Sequence, residues 1–244
     1  MWWQLSIAQP GRVGLSFTVA FLVTYAVTPL LLHQAHRWRL LDWPSQRKIH
    51  AQPVPCSGGL AIGLGVLAGM LALPMPPGLR LALSGSCCIL ALLGIIDDRR
   101  GLNPWVKLAG QLLAAVWALY WGVEVSFLRL PFVGMTALGA WSVPVTLFWM
   151  ILLMNTMNLI DGIDGQAAGI GIIGGLTLLM CSQWLNPQGD SMFMVALLGA
   201  LLAFLRYNFN PARIFMGDSG SMQCGFLLAA AYILGVFKTT TTVA

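Results

Sequence analysis

Asn155-Thr156-Met157-Asn158-Leu159-Ile160-Asp161-Gly162-Ile163-Asp164-Gly165 closes an apolar run with two amides and then two carboxylates, each three residues after the last. Three residues turn a helix by about 300°, so these four side chains form one slowly drifting polar stripe that runs off the end of a span. An amide inside an apolar helix must find a partner, and helix–helix hydrogen bonding would satisfy Asn155 and Asn158. Asp-Gly pairs are common turn formers, which would explain Asp161-Gly162 and Asp164-Gly165. A plain turn, however, needs neither of the amides that lead into it. A carboxylate at a membrane edge is costly unless something positive meets it, so the stretch points to a site at the end of a membrane helix.

Working outward, two further stretches repeat the pattern. Leu93-Gly94-Ile95-Ile96-Asp97-Asp98-Arg99-Arg100 ends another apolar run on adjacent acids. Two such carboxylates repel each other, and Arg99 and Arg100 could neutralise them by local ion pairing. Met216-Gly217-Asp218-Ser219-Gly220-Ser221 lies between two more apolar runs. Its glycines permit unusual backbone geometry, Ser219 or Ser221 could cap the following helix, and a carboxylate beside a helix start suits phosphate and metal binding. The first long loop carries Arg47, Lys48 and His50, a basic patch that orientation charge alone would explain residue by residue.

The 244 residues are 58% hydrophobic and 9% charged, with a mean hydropathy of +0.79. Soluble domains carry about 25% charged residues, so the expected fold is all-α and polytopic, a single transmembrane domain over 1–244. Eight spans are expected, near 13–32, 58–75, 79–96, 105–122, 141–157, 167–185, 192–209 and 221–238. The net charge of +5 then reports loop orientation and not nucleic-acid binding. The five cysteines lack metal-ligand spacing and read as small packing residues.

If the loop 33–57 faces the cytoplasm, crossings alternate and nine Lys and Arg fall inside against four outside, as positive-inside requires. Six of the eight acids fall on the same side, with only Glu124 and Asp190 opposite. Acids contribute little to orientation, so their clustering implies a cytoplasmic site. No Walker A loop, nucleophile elbow, zincin pair or dinucleotide fingerprint is present. Acid-rich chemistry with three histidines favours a hard cation, magnesium over zinc.

Taken together, residues 42–59, 97–111, 155–165 and 206–225 resemble the polyprenyl-phosphate N-acetylhexosamine-1-phosphate transferases in order and in side. That family includes the WecA-type and MraY-type enzymes, and 42–59 and 155–165 are closer to the WecA type. The resemblance implies a glycosyltransferase family 4-like fold in the bacterial inner membrane, with its active site on the cytoplasmic face. It implies transfer of an N-acetylhexosamine 1-phosphate, GlcNAc-1-phosphate first among the candidates, from a UDP-sugar to undecaprenyl phosphate. UMP leaves, Mg²⁺ is the cofactor with Mn²⁺ as alternative, and the product starts an envelope polysaccharide such as O-antigen; a homodimer is compatible. By the same resemblance Asp97, Asp98 and Asp161 are catalytic, with Asp97 the base toward the lipid phosphate and Asp98 supporting metal or lysine contacts. Asn158, Asp164, Lys107, Arg47, Lys48 and His50 would bind substrate, and Asp218 with Asn158 would hold the metal.

The family pattern continues through further helices into a histidine-rich loop that these residues do not contain, so weak or no transfer is expected from this polypeptide alone. Two other readings stay open, a transporter-like protein and a catalytically inactive membrane protein. Transporter sites lie near the bilayer midplane on broken helices, whereas these acids sit at span ends.

Overall fold

The computed structural model describes residues 10–42, 53–130, 134–185 and 191–235. Among the described residues eight helices follow one another: α1 Pro10–Trp38, α2 Gly58–Leu71, α3 Pro77–Arg100, α4 Pro104–Tyr120, α5 Ser142–Ile160, α6 Gln166–Leu185, α7 Met194–Asn208 and α8 Gly217–Gly235. They coincide in number and order with the expected spans. Four of them, α1, α3, α5 extended by the preceding 3₁₀ turn, and α6, are long and apolar enough to cross a membrane. The other four have 14, 17, 15 and 19 residues. The architecture is that of a helical polytopic membrane protein.

The all-α expectation omits two short antiparallel ribbons, β1 Leu41–Asp42 with β2 Val54–Pro55, and β3 Phe127–Leu130 with β4 Gly134–Ala137. They lie in inter-helix loops, where apolar periodicity carries no signal. The helix edges follow local chemistry. Proline opens α3 and α4 at the first turn, where its missing N–H costs nothing. Asn103 caps α4 by accepting from the Trp105 N–H at 2.9 Å. Gly101 ends α3 in the left-handed conformation, φ 63°, which glycine tolerates.

α8 lies at the centre. Every residue from Ser219 to Ala231 is buried, as expected of a helix that is covered all round. It packs on α2, α3, α5 and α6, while α1 packs on α2 and α7. Close approach is made possible by missing side chains. A Cβ on Gly94 of α3 would lie 2.2 Å from the Ser219 backbone, and one on Gly59 of α2 would lie 2.1 Å from the Gly220 nitrogen. Two helices therefore meet the first turn of α8 backbone to backbone, and that turn carries Asp218.

Candidate active site

Because α3 touches α8 at Gly94, the next turn of α3 delivers its acids to the start of α8. Asp98 Oδ1 accepts the Asp218 backbone N–H at 3.1 Å. Its other oxygen, Oδ2, is buried with no hydrogen-bond partner among the described residues. Gly217 has φ +70°, and a Cβ there would come within 2.8 Å of that oxygen. A glycine at 217 thus lets the backbone before Asp218 pass close to the Asp98 carboxylate. A buried polar atom without a partner is rare in native folds.

Lys107, on the first turn of α4, is the hub of the charged centre. Its Nζ lies 2.9 Å from Asp97 Oδ2 and 2.5 Å from Asp218 Oδ2, and it donates to Asn158 Oδ1 at 3.0 Å. Asn158 Nδ2 donates to Asp218 Oδ1 at 2.6 Å and to Ser221 Oγ at 3.0 Å. The Lys107 and Asp97 side chains are 16% and 9% exposed, so this is a largely desolvated pair with neutral donors and acceptors filling the remaining positions, as such pairs require. Four helices contribute one arm each: α3, α4, α5 and α8.

Beside it opens a cleft of about 760 Å³, whose wall includes Asp42, Cys56, Asp98, Asp161, Asp164 and Asp218. Asp161 follows the last residue of α5 and lies outside the membrane helices. Burial, and then the negative charge of Asp218, push its carboxyl up to about 7, against the lowering effect of the Gly217 N–H. Burial likewise pushes the Cys56 thiol up to about 12, which makes it an inert wall residue. Apolar and backbone groups of Leu41, Val54, Ile163 and Phe215 complete the cleft.

The structure brings Asp97, Asp98, Lys107, Asn158, Asp161, Asp164 and Asp218 to one end of the bundle, but it redistributes their parts. The lysine contact expected of Asp98 belongs to Asp97, whose Oδ1 is also taken by the Leu102 N–H at 2.6 Å. Asp98 lines the cleft while Asp97 holds Lys107, so the two neighbouring acids take different positions in the centre. Asn158, expected at the metal, accepts from Lys107 through Oδ1 and donates to Asp218 through Nδ2.

Asp164 leaves the expected stripe, since α5 stops at Ile160. Its Oδ2 accepts the Ala212 N–H at 2.9 Å and the Asn210 Nδ2 at 3.0 Å, fixing the loop after α7 to the cleft wall. Neither serine caps α8, which starts earlier, at Gly217. Ser221 bonds back to the Gly217 carbonyl at 3.0 Å, and Ser219 Oγ has no partner among the described residues. Arg47, Lys48 and His50 lie outside the described residues. Sequence reasoning missed Asp42 and Cys56 as wall residues, and missed Gln111, whose only signal is its place one turn after Lys107. Among the described residues no group of three or more His, Cys, Asp or Glu side chains stands close enough to hold a metal ion unaided.

The sequence pattern of glycosyl transferase family 4 matches residues 80–236. The chain belongs to glycosyl transferase family 4. The matched stretch holds every arm of the charged centre, whereas the 42–56 part of the cleft wall precedes it. This family 4 chain is 36% identical over 236 residues to the probable undecaprenyl-phosphate N-acetylglucosaminyl 1-phosphate transferase of Bacillus subtilis (strain 168), covering 94% of the chain and 65% of that protein. It is 38% identical to the decaprenyl-phosphate N-acetylglucosaminephosphotransferase of Mycobacterium leprae (strain TN), covering 90% and 59%. It is 34% identical to the phospho-N-acetylmuramoyl-pentapeptide-transferase of Synechococcus elongatus, covering 91% and 65%. The chain thus spans about 60% of the length of these curated relatives.

Proposed function

We propose that this chain forms the catalytic cleft of a transferase that moves N-acetylglucosamine 1-phosphate from its UDP-sugar to undecaprenyl phosphate, at the cytoplasmic face of the bacterial inner membrane. The observation that carries the proposal is the meeting of Asp97, Asp98, Lys107, Asn158 and Asp218 from four helices beside a cleft walled by Asp98, Asp161 and Asp218. Support also comes from the relatives, two of which are named for N-acetylglucosamine phosphate transfer to a polyprenyl phosphate. Acids at helix ends, and not in mid-helix, count against ion transport.

In this reaction an oxygen of the lipid phosphate attacks the sugar-bearing phosphorus of the UDP-sugar. A new P–O bond forms, the bond to the UMP phosphate breaks, and UMP leaves with that oxygen. The task of the protein is to hold two anions in line and to offset their repulsion. The acidic pair Asp97 and Asp98, of which Asp98 lines the cleft, supplies the base that accepts a proton from the lipid phosphate. Lys107, held by Asp97, Asp218 and Asn158, supplies fixed positive charge next to the cleft. Asp164 keeps the loop after α7 in place as part of the cleft wall.

Magnesium fits the donors present. Asp98, Asp161 and Asp218 line the same cleft and offer hard carboxylate oxygens. Mg²⁺ typically takes one or two carboxylates and completes its shell with water and substrate phosphates, so the lack of a larger chelating cluster does not exclude it. When bound, the ion would offset phosphate charge at the cleft.

The test measures binding of UDP-N-acetylglucosamine to the purified protein with magnesium or EDTA, together with radiolabel transfer to undecaprenyl phosphate in membranes. Saturable binding that needs magnesium and is lost in Asp98→Asn and Asp218→Asn is the expected result. Absence of binding by the unaltered chain, or binding and transfer indifferent to both substitutions, would remove the proposal.

A further inference from the structure

One turn deeper than the charged centre lies a second polar layer. Gln111 is 1% exposed and stands four residues after Lys107 on α4. Its Oε1 accepts from Asn155 Nδ2 at 2.9 Å, and its Nε2 faces Asn155 Oδ1 at 3.4 Å. The same Nε2 lies 3.4 Å from Met222 Sδ on α8. Asn155 stands three residues before Asn158 on α5, and Met222 four residues after Asp218. The helices that meet as Lys107, Asn158 and Asp218 therefore meet again as Gln111, Asn155 and Met222.

From this stacking we infer that the Gln111–Asn155 amide pair is a positioning device that sets the rotation of α4 against α5 and so holds the Lys107 ammonium at Asp97, Asn158 and Asp218. A reciprocal amide pair has one geometry in which both partners are satisfied. Asn155 Nδ2 also donates to the Ile151 carbonyl at 2.9 Å, but among the described residues the Gln111 amide meets only Asn155 and Met222 Sδ, so sliding or rotating α4 leaves a buried amide unpaired. Leucine–leucine packing at this level would tolerate many small displacements. Lys107 rides on the same helix face as Gln111, so a rotation that frees one displaces the other. The consequence for phosphate chemistry rests on the proposed transferase function; the positioning of the lysine does not.

The test uses the full chain in detergent and reads the rate of reductive methylation of Lys107 by peptide mass spectrometry, with no substrate present. Four forms are compared: unaltered, Gln111→Leu, the apolar double Gln111→Leu with Asn155→Leu, and the swapped pair Gln111→Asn with Asn155→Gln. The swap keeps the total length of the two side chains and restores an amide–amide contact. Lys107 should be methylated about tenfold faster in the single and apolar double variants, because it loses its bonded position, and return toward the unaltered rate in the swap. UDP-N-acetylglucosamine affinity should follow the same order. An apolar double variant that melts like the unaltered protein and protects Lys107 equally well would overturn the inference and leave the pair as stabilising packing. Altered methylation together with no nucleotide-sugar binding by the unaltered chain would instead overturn the proposed function while the positioning inference stood.

Discussion

Replacing Gly94 by alanine adds one methyl group at the place where α3 meets α8. The new Cβ would sit 2.2 Å from the N and Cα of Ser219, where ordinary contact starts at 3.4 Å. Both neighbours are backbone and cannot rotate away, so the two helices must part by the difference between 3.4 and 2.2, about 1.2 Å. Asp98 lies one turn further along α3 and would be carried off the Asp218 N–H, now at 3.1 Å, out of hydrogen-bond range. Overpacking costs about 1–3 kcal/mol, and a lost bond to a charged group about 1.5–3 kcal/mol. Relief of one partly relieves the other, so a net of about 3 kcal/mol is expected, equivalent to a fall of about 6–12 °C in melting temperature for a chain of this size. Displacement of this order at an active centre typically lowers rate by about a hundredfold. The assay is thermal unfolding in detergent together with UDP-N-acetylglucosamine affinity, and Gly169→Ala is the control. Gly169 has nothing within 4 Å of its added Cβ and sits within α6, so that variant should gain up to about 1 kcal/mol from helix propensity. If Gly94→Ala melts and binds like the unaltered protein, the backbone contact does not set the position of Asp98, and the reasoning fails.

Other consequences can be checked alongside. Lys107→Met leaves Asp97 and Asp218 facing each other without the ammonium between them, and should cost about 3–5 kcal/mol; a denaturation midpoint unchanged from the parent would contradict the described centre. Asp161 has a folded pKa raised from 3.8 to about 7, so the folded state holds a proton that the unfolded state has lost between those values. Its contribution to stability therefore declines as pH rises through that window and levels off above about 7. In EDTA, Asp161→Asn should flatten that decline, seen as a melting-temperature advantage over the parent that grows from pH 5 to pH 8; an advantage that shrinks with rising pH would refute the burial of this carboxyl. Asp164→Ala removes two hydrogen bonds to the loop after α7, worth about 1–3 kcal/mol locally. Hydrogen exchange should speed up at Ala212 while α8 stays protected, and unchanged exchange at Ala212 would show that Asp164 does not hold the loop.

Much of the fold was legible in the sequence for a simple reason. An apolar run long enough for a membrane has few alternatives to a helix, because every backbone group must be satisfied within the segment. The eight apolar runs appear directly in the residue order. That acids at 97–98, 161–164 and 218 belong to one end of the bundle also follows, since crossings alternate. The short ribbons β1–β2 and β3–β4 were not visible, because loop pairing depends on where the flanking helices place the strand ends.

What the order of residues could not state is which oxygen faces what. Asp97 and Asp98 are chemically identical neighbours, and only the rotation of α3 against α8 gives one the lysine and the other a place in the cleft wall. That rotation is set by contacts between residues more than a hundred positions apart, Gly94 on Ser219 and Asp98 on the Asp218 N–H. Likewise Gln111 is an ordinary amide in the chain and becomes a partner of Asn155 only when α4 and α5 pack. Hydrophobic length and periodicity are local properties, so the sequence alone determined the helices and the end at which charge collects. Hydrogen-bond direction and backbone approach arise between distant segments, so the tertiary structure alone assigned each polar atom its partner.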